Sequence, residues 1–400
     1  MIARSHPWFL ASLGLGALCL VMIWDWFFRP VGAGLDAVGH PIGRDFINSW
    51  AAPRLVAQGR LADLFDLDAY WKDVQRLYGA PFGKIAWSYP PTALALFTPF
   101  SLLPYGLALS AWTGLGWLAF IASVRSFTGP SHKVALAIAL AAPGAWMCAF
   151  TGQNGLFTSA LMLAGLSLCD RRPIIAGVLI GLLTVKPQLG LLLPFALIGF
   201  GAWRTMAAAA ATAIALALLA FALYGAAPFI GYFKVSAPFS AWVLSQSWGG
   251  QKLMLVSLTS ALTQAGLGFR TALLGQGLFD LAVLLTGALA WRGTSDRQAR
   301  IALVITASLL VTPYGWSYDL PAFSLIMGLA LWRAETAPVG VKLGLAAGFL
   351  APALSYLSEL FHLALAPVLM SAGYLALVSQ TLSPSRQSFP EPSSPPPCQS

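Results

Sequence analysis

A few polar groups stand out in a chain that has few of them: Asp45 in Arg44-Asp45-Phe46, Tyr89 before Pro90-Pro91, the amides Gln153-Asn154, Lys186 before Pro187, and Tyr318-Asp319. The Asp45 carboxylate has the chemistry of a general base that takes a proton from a hydroxyl. Lys186 is the only charge between Arg172 and Arg204. A lone cation in an apolar run is costly unless it reaches water, pairs, or meets an anion, and a lipid phosphate would satisfy it. Arg44 is a second candidate for that phosphate. Gln153, Asn154, Tyr89, Tyr318 and Asp319 are candidates to hold a sugar or an acceptor through amide, hydroxyl and carboxylate groups.

Each group also has a plainer reading. Asp45 fits the N-cap of a helix over 46–58 that stops at Gly59. Lys186 fits a helix-end lysine, because Pro187 breaks the helix there. Tyr89-Pro90-Pro91 fits an extended approach to the membrane, since proline restricts itself and the residue before it. Thr151-Gly152-Gln153-Asn154-Gly155 fits a tight turn, and the aromatics before Asp319 fit an interface belt. Asp280, another solitary charge, is expected to pair with a neighbouring helix and is given no function.

The elements that must position these groups follow from composition. The chain has 400 residues, 58% of them apolar and only 9% charged, with a mean hydropathy of +0.74. A soluble domain carries about 25% charged residues, so the expectation is an all-α polytopic membrane protein. Residues 8–28 are long enough to cross a core of about 30 Å and end in bulky Trp24-Asp25-Trp26-Phe27-Phe28, unlike a cleavage site. Further crossings are read near 104–124, 133–150, 155–169, both arms of 173–203, 205–224, 271–291, 299–312, 319–333, 341–356 and 363–380. That makes about 12 transmembrane helices. Residues 90–103 are short and proline-bounded, which suits a half-buried or re-entrant helix.

Short basic connections mark the cytoplasm: Arg125 and Lys133, Arg171-Arg172, then Arg292, Arg297 and Arg300. Both termini are then cytoplasmic, and residues 29–88 form a long first extracytoplasmic loop. Within it Leu67, Tyr70, Trp71, Val74, Leu77 and Tyr78 share one helical face, with Asp66 as cap and Gly79 as stop, and that face is expected on the membrane surface. Residues 1–382 read as a single transmembrane domain. Residues 383–400, rich in proline and serine, read as a disordered cytoplasmic tail. Under this topology the candidate groups all approach the extracytoplasmic interface.

The net charge of +9 comes without a basic run or basic helix, so it reads as topology and contact with membrane lipids, not with nucleic acid. Cys19, Cys148, Cys169 and Cys398 form no disulfide or zinc pattern, and His6, His40, His132 and His362 lack ligand spacing. No cofactor is expected, and a divalent metal has no support in the spacing. A secondary transporter is the rival reading, because two short arms broken at Lys186-Pro187 look like a discontinuous helix. No matching broken pair stands in the other half.

The pattern resembles glycosyltransferase family 87, of the GT-C superfamily, over roughly residues 40–335. The matching text is Asp45-Phe46 with Trp50-Ala51-Ala52 and Arg54-Leu55, then Leu64-Phe65-Asp66, then Tyr89-Pro90-Pro91 with Pro99 and Leu103-Pro104. Gly152-Gln153-Asn154, Ala176-Gly177 through Lys186-Pro187, and Tyr318-Asp319-Leu320 follow in the family's order. Pro53 interrupts the helix expected there. The resemblance implies a GT-C-like bundle whose first outer loop opens with an acidic catalytic residue, here Asp45. It implies a plasma-membrane hexosyltransferase, of the mannosyltransferase kind, that takes its sugar from a polyprenyl-phosphate-linked donor and gives it to a lipid or glycan hydroxyl. With one carboxylate and no covalent partner, inversion at the anomeric carbon is the simpler outcome.

Overall fold

In a computed structural model of the chain, which describes residues 7–129, 132–246, 252 and 254–383, the protein is all-α apart from a small antiparallel hairpin of Pro30–Gly32 and Leu35–Asp36. The tail from 384 onward lies outside the described residues.

Among the described residues five helices are long and apolar enough to cross a membrane: Pro7–Phe28, Tyr105–Thr128, Trp203–Tyr224, Phe269–Gly293 and Val339–Ser358. Lys133–Ala141 and Pro143–Thr151, bent by 50° at their junction, form a sixth if counted as one span. The expectation of about 12 crossings is therefore not met. The remaining apolar runs do become helices where expected, but they are short: Gly155–Leu168, Pro173–Val185, Pro187–Gly199, Pro321–Trp332 and Ala366–Leu382. At about 1.5 Å per residue, a run of 13 residues rises only roughly 20 Å, less than a hydrocarbon core of about 30 Å. Hydropathy locates such runs without telling a crossing from a short helix walled in by protein. Pro321–Trp332 is the clearest case, with every residue from Pro321 to Leu331 buried.

Small residues let these pieces approach. A Cβ on Gly177 or Gly181 would fall within 2.5 Å of atoms on the Trp203–Tyr224 helix, so the two glycines form a flat seam against it.

The long loop folds back on the bundle through its own apolar core. Phe46, Trp50, Leu55, Leu64, Tyr70, Val74, Tyr89 and Phe97 cluster with Trp112 of the Tyr105–Thr128 helix. The Leu67–Tyr78 helix has the expected ends: Asp66 accepts from the Asp68 and Ala69 amides, and Gly79 is left-handed at φ 84°. The middle of its apolar face packs on protein, however, although Leu67 at its start is 38% exposed. Tyr70 and Val74 are fully buried, and Tyr70 Oη donates to Asn48 Oδ1 on the Phe46–Ala57 helix at 2.8 Å. An amphipathic face needs an apolar partner, and protein supplies it here. Pro53 lies inside the Phe46–Ala57 helix without ending it. Asp280 accepts from Gln276 of its own helix at 2.7 Å, rather than from a neighbouring one.

Candidate active site

The loop Thr151-Gly152-Gln153-Asn154-Gly155 is the hub of the site, because its two glycines admit other segments of backbone. A Cβ on Gly152, itself left-handed at φ 60°, would stand 2.4 Å from the Gly43 carbonyl oxygen. One on Gly155 would stand 1.8 Å from the Tyr318 carbonyl oxygen. The first contact draws in the segment carrying Asp45, whose amide donates to the Thr151 carbonyl at 3.0 Å. The second draws in the turn Ser317–Asp319.

Between these contacts the Gln153 side chain joins the charged groups. Its Nε2 donates to Asp45 Oδ2 at 3.0 Å. Its Oε1 accepts from Tyr89 Oη at 2.8 Å, from the Asn154 amide at 3.2 Å and from Lys186 Nζ at 3.4 Å. Lys186 in turn pairs with Asp319 Oδ1 at 2.6 Å, the two side chains being 7% and 1% exposed, and its ammonium lies 4.7 Å from the Tyr318 ring centroid.

Asp45 does occupy the residue before the Phe46–Ala57 helix, but its side chain makes no capping bond. Oδ2 is turned to Gln153, and Oδ1 accepts no hydrogen bond from any described residue. Burial holds the Asp45 carboxyl above its ordinary value, opposed by the Gln153 hydrogen bond and the charges of Arg44, Lys186 and His40. Burial and Arg44 push His40 down. Arg44 is partly committed elsewhere: Nε pairs with Asp36 at 2.7 Å and Nη2 donates to the Phe27 carbonyl at 2.8 Å.

These groups open onto one cavity of about 860 Å³. Arg44, Asp45, Tyr89, Gln153, Lys186 and Tyr318 line it. Asn154 and Asp319 do not line it; both are buried, Asp319 behind Lys186, and neither Asn154 amide atom has a partner among the described residues. Asp45 is the one carboxylate among the described lining residues. Sequence reasoning missed His40, Lys84, Lys252 and Tyr356, which also line the cavity. Lys252 carried a usable signal, being the only charge between Lys234 and Arg270. His40 and Tyr356 carried none, since nothing near them in sequence distinguishes them from boundary or core residues.

The arrangement sets a carboxylate that could accept a proton and an ion-paired ammonium at the two ends of one glutamine amide beside the cavity. No curated protein and no solved structure matches the chain. Residues 87–313, more than half of it, match Glycosyltransferase family 87. That stretch contains Tyr89, Gln153 and Lys186, while Asp45 and Asp319 join the site through folding alone. The chain therefore belongs to glycosyltransferase family 87 and is a multi-helix membrane glycosyltransferase.

Proposed function

We propose that the chain moves a hexose, mannose in the first instance, from a polyprenyl-phosphate-linked donor to a hydroxyl of a lipid or glycan acceptor, with inversion at the anomeric carbon. The observation that carries this reading is Asp45, whose Oδ1 accepts no hydrogen bond from a described residue, lining a cavity that Lys186 also lines. Asp45 accepts the acceptor proton as the new glycosidic bond forms. Lys186 stabilises negative charge developing on the departing phosphate. Arg44 contributes as a fixed positive charge, since two of its donors are already held. A single lining carboxylate favours one displacement over two, hence inversion.

The lipid tail of the donor suits the apolar side of the cavity, where Phe239, Trp242 and Val243 line it and Trp242 is 53% exposed. Tyr89 and Tyr318 line the cavity and would meet the sugar through ring edges, since each is mostly buried and Tyr318 stacks on Trp316 with the Lys186 ammonium over its ring, whereas Asn154 and Asp319 act only through their neighbours.

The Tyr105–Thr128 helix supports the proposed side of the membrane. Tyr105 packs on Phe46 and Trp50 beside the cavity, whereas its far end meets the basic connections: Gln298 donates to the Phe127 carbonyl, and Arg333 donates to Gln298. By the positive-inside rule these contacts support a reading with that end in the cytoplasm and the cavity at the extracytoplasmic face of the plasma membrane.

The test is Asp45→Asn in membranes supplied with labelled polyprenyl phosphate mannose. Transfer should fall by about 10²–10⁴, the range for loss of a general base, with insertion and abundance unchanged. Undiminished turnover would remove Asp45 from the mechanism.

A further inference from the structure

We infer that Gln153 is a positioning residue: its amide is locked in one orientation, holds Asp45 by Oδ2 alone, and so aims Oδ1 into the cavity for the acceptor hydroxyl. The inference rests on the proposed role of Asp45 as base.

The orientation of the amide is forced by what surrounds it. Lys186 Nζ and the Asn154 amide can only donate, and both point at Oε1. A flipped amide would set its NH₂ against those two donors and its oxygen against the Asp45 carboxylate. Tyr89 Oη adds a third donor on the same side at 2.8 Å. The NH₂ group is therefore committed to Asp45, and the backbone beneath it is committed too. Trp112 Nε1 donates to the Gln153 carbonyl at 3.3 Å, and the Gln153 amide donates to the Cys148 carbonyl at 3.2 Å.

With Oε1 accepting three bonds and Nε2 donating to Asp45, the side chain keeps at most one N–H for a sugar hydroxyl. What it does is convert the position of one helix turn into the direction of a carboxylate lone pair. It also stabilises the charged form of Asp45, because a donor on a carboxylate favours ionisation. The charged groups whose fields reach Asp45 are Arg44, His40 and Lys186, with Asp319 as the other carboxylate. Tyr89, Tyr105, Tyr314 and Tyr318 are the remaining titratable neighbours. Replacing Gln153 removes none of these charges, and although Tyr89 and Lys186 lose their bond to Oε1, Lys186 keeps its pairing with Asp319 at 2.6 Å, so a rise in the Asp45 midpoint on replacement reports the lost hydrogen bond.

The experiment is carbodiimide labelling of the full-length protein in lipid nanodiscs, with dicyclohexylcarbodiimide as probe, followed by peptide mapping of the Asp45 adduct across pH. The reagent adds to a protonated carboxyl, so labelling falls as Asp45 ionises. In Gln153→Met, which keeps the length of the side chain but donates no hydrogen bond, the labelling midpoint should rise by about one pH unit. Gln153→Asn, whose amide is one methylene too short to span Asp45 and Lys186, should move it in the same direction and serves if Gln153→Met does not fold. Coincident midpoints in the wild type and the folded variant would overturn the inference. The readout needs no turnover: if Asp45→Asn were fully active the base role would fall, while the midpoints would still decide whether Gln153 holds the carboxylate.

Discussion

Loss of Asp319 alone should harm the protein more than loss of Asp319 and Lys186 together. The two side chains meet at 2.6 Å and are almost wholly buried. Removing one partner of such a pair leaves an uncompensated buried charge and costs about 3–5 kcal/mol, while replacing both with apolar groups of similar volume is neutral or even stabilising by about 1–4 kcal/mol. In Asp319→Leu the stranded ammonium would keep Gln153 Oε1 at 3.4 Å and the Tyr318 ring at 4.7 Å. A desolvated cation over an aromatic face recovers up to about 2 kcal/mol, so the lower end of the range, about 3 kcal/mol, is expected. Thermal unfolding of Asp319→Leu, Lys186→Met and the double variant in one detergent should rank the double variant above Asp319→Leu. The ranking holds even if unfolding is irreversible, provided the scan rate is fixed. Additive losses, with the double variant the least stable, would show that the pair is not coupled and would remove the account of Asp319 as the group that holds Lys186 in the cavity wall.

Two further outcomes follow from the geometry. Burial holds the Asp45 carboxyl above the usual range, and a base works only when ionised, so transfer should be full at higher pH and be lost as pH falls through a midpoint above about 3.9, the ordinary aspartate value; an acid limb of kcat/KM at that ordinary value would refute the buried-base reading. Gly155→Ala puts a methyl 1.8 Å from the Tyr318 carbonyl oxygen, and overpacking of this kind costs about 1–3 kcal/mol or more, so folded yield and transfer should both fall, whereas Gly114→Ala, with nothing within 4 Å, should be neutral or slightly stabilising.

Much of this site was legible in the sequence because charge is so scarce in the chain. Asp45 and Lys186, 141 positions apart, were each conspicuous as ionic groups at the edge of apolar runs, and the structure brings them to opposite ends of one glutamine amide. The partner of Lys186 was not legible, since pairing with Asp319 depends on how Gly155 seats the Ser317–Asp319 turn. Nor was the role of Gln153-Asn154 decided by local pattern. A tight turn and a polar contact point both call for glycine and amides, and the loop turns out to be a tight turn whose first amide is bonded at both its oxygen and its nitrogen while the second is buried with no partner among the described residues. The N-cap reading of Asp45 was right about position and wrong about the side chain, which makes no capping bond and is held by Gln153 instead.

The shortfall in crossings and the convergence of polar groups have one physical cause. A helix that spans the bilayer satisfies its backbone within itself and leaves its ends at the two interfaces, so it brings no polar side chain inward. Here the apolar helices that flank the site are interrupted: Pro143–Thr151 stops at Gly152, Pro173–Gly181 tightens into a short turn before Lys186, and Pro321–Trp332 begins just after Asp319. Each break frees backbone groups and sets a polar residue against neighbouring protein, and the breaks satisfy one another jointly. Gln153 accepts from Lys186, Lys186 pairs with Asp319, and the Asp45 amide donates to Thr151. Lengthening any one of these helices through its break would improve its local hydrogen bonding and withdraw one member from the cavity. Irregular backbone within an apolar bundle is thus the means by which a base from the loop and a cation from the bundle come to share one chamber beside the lipid.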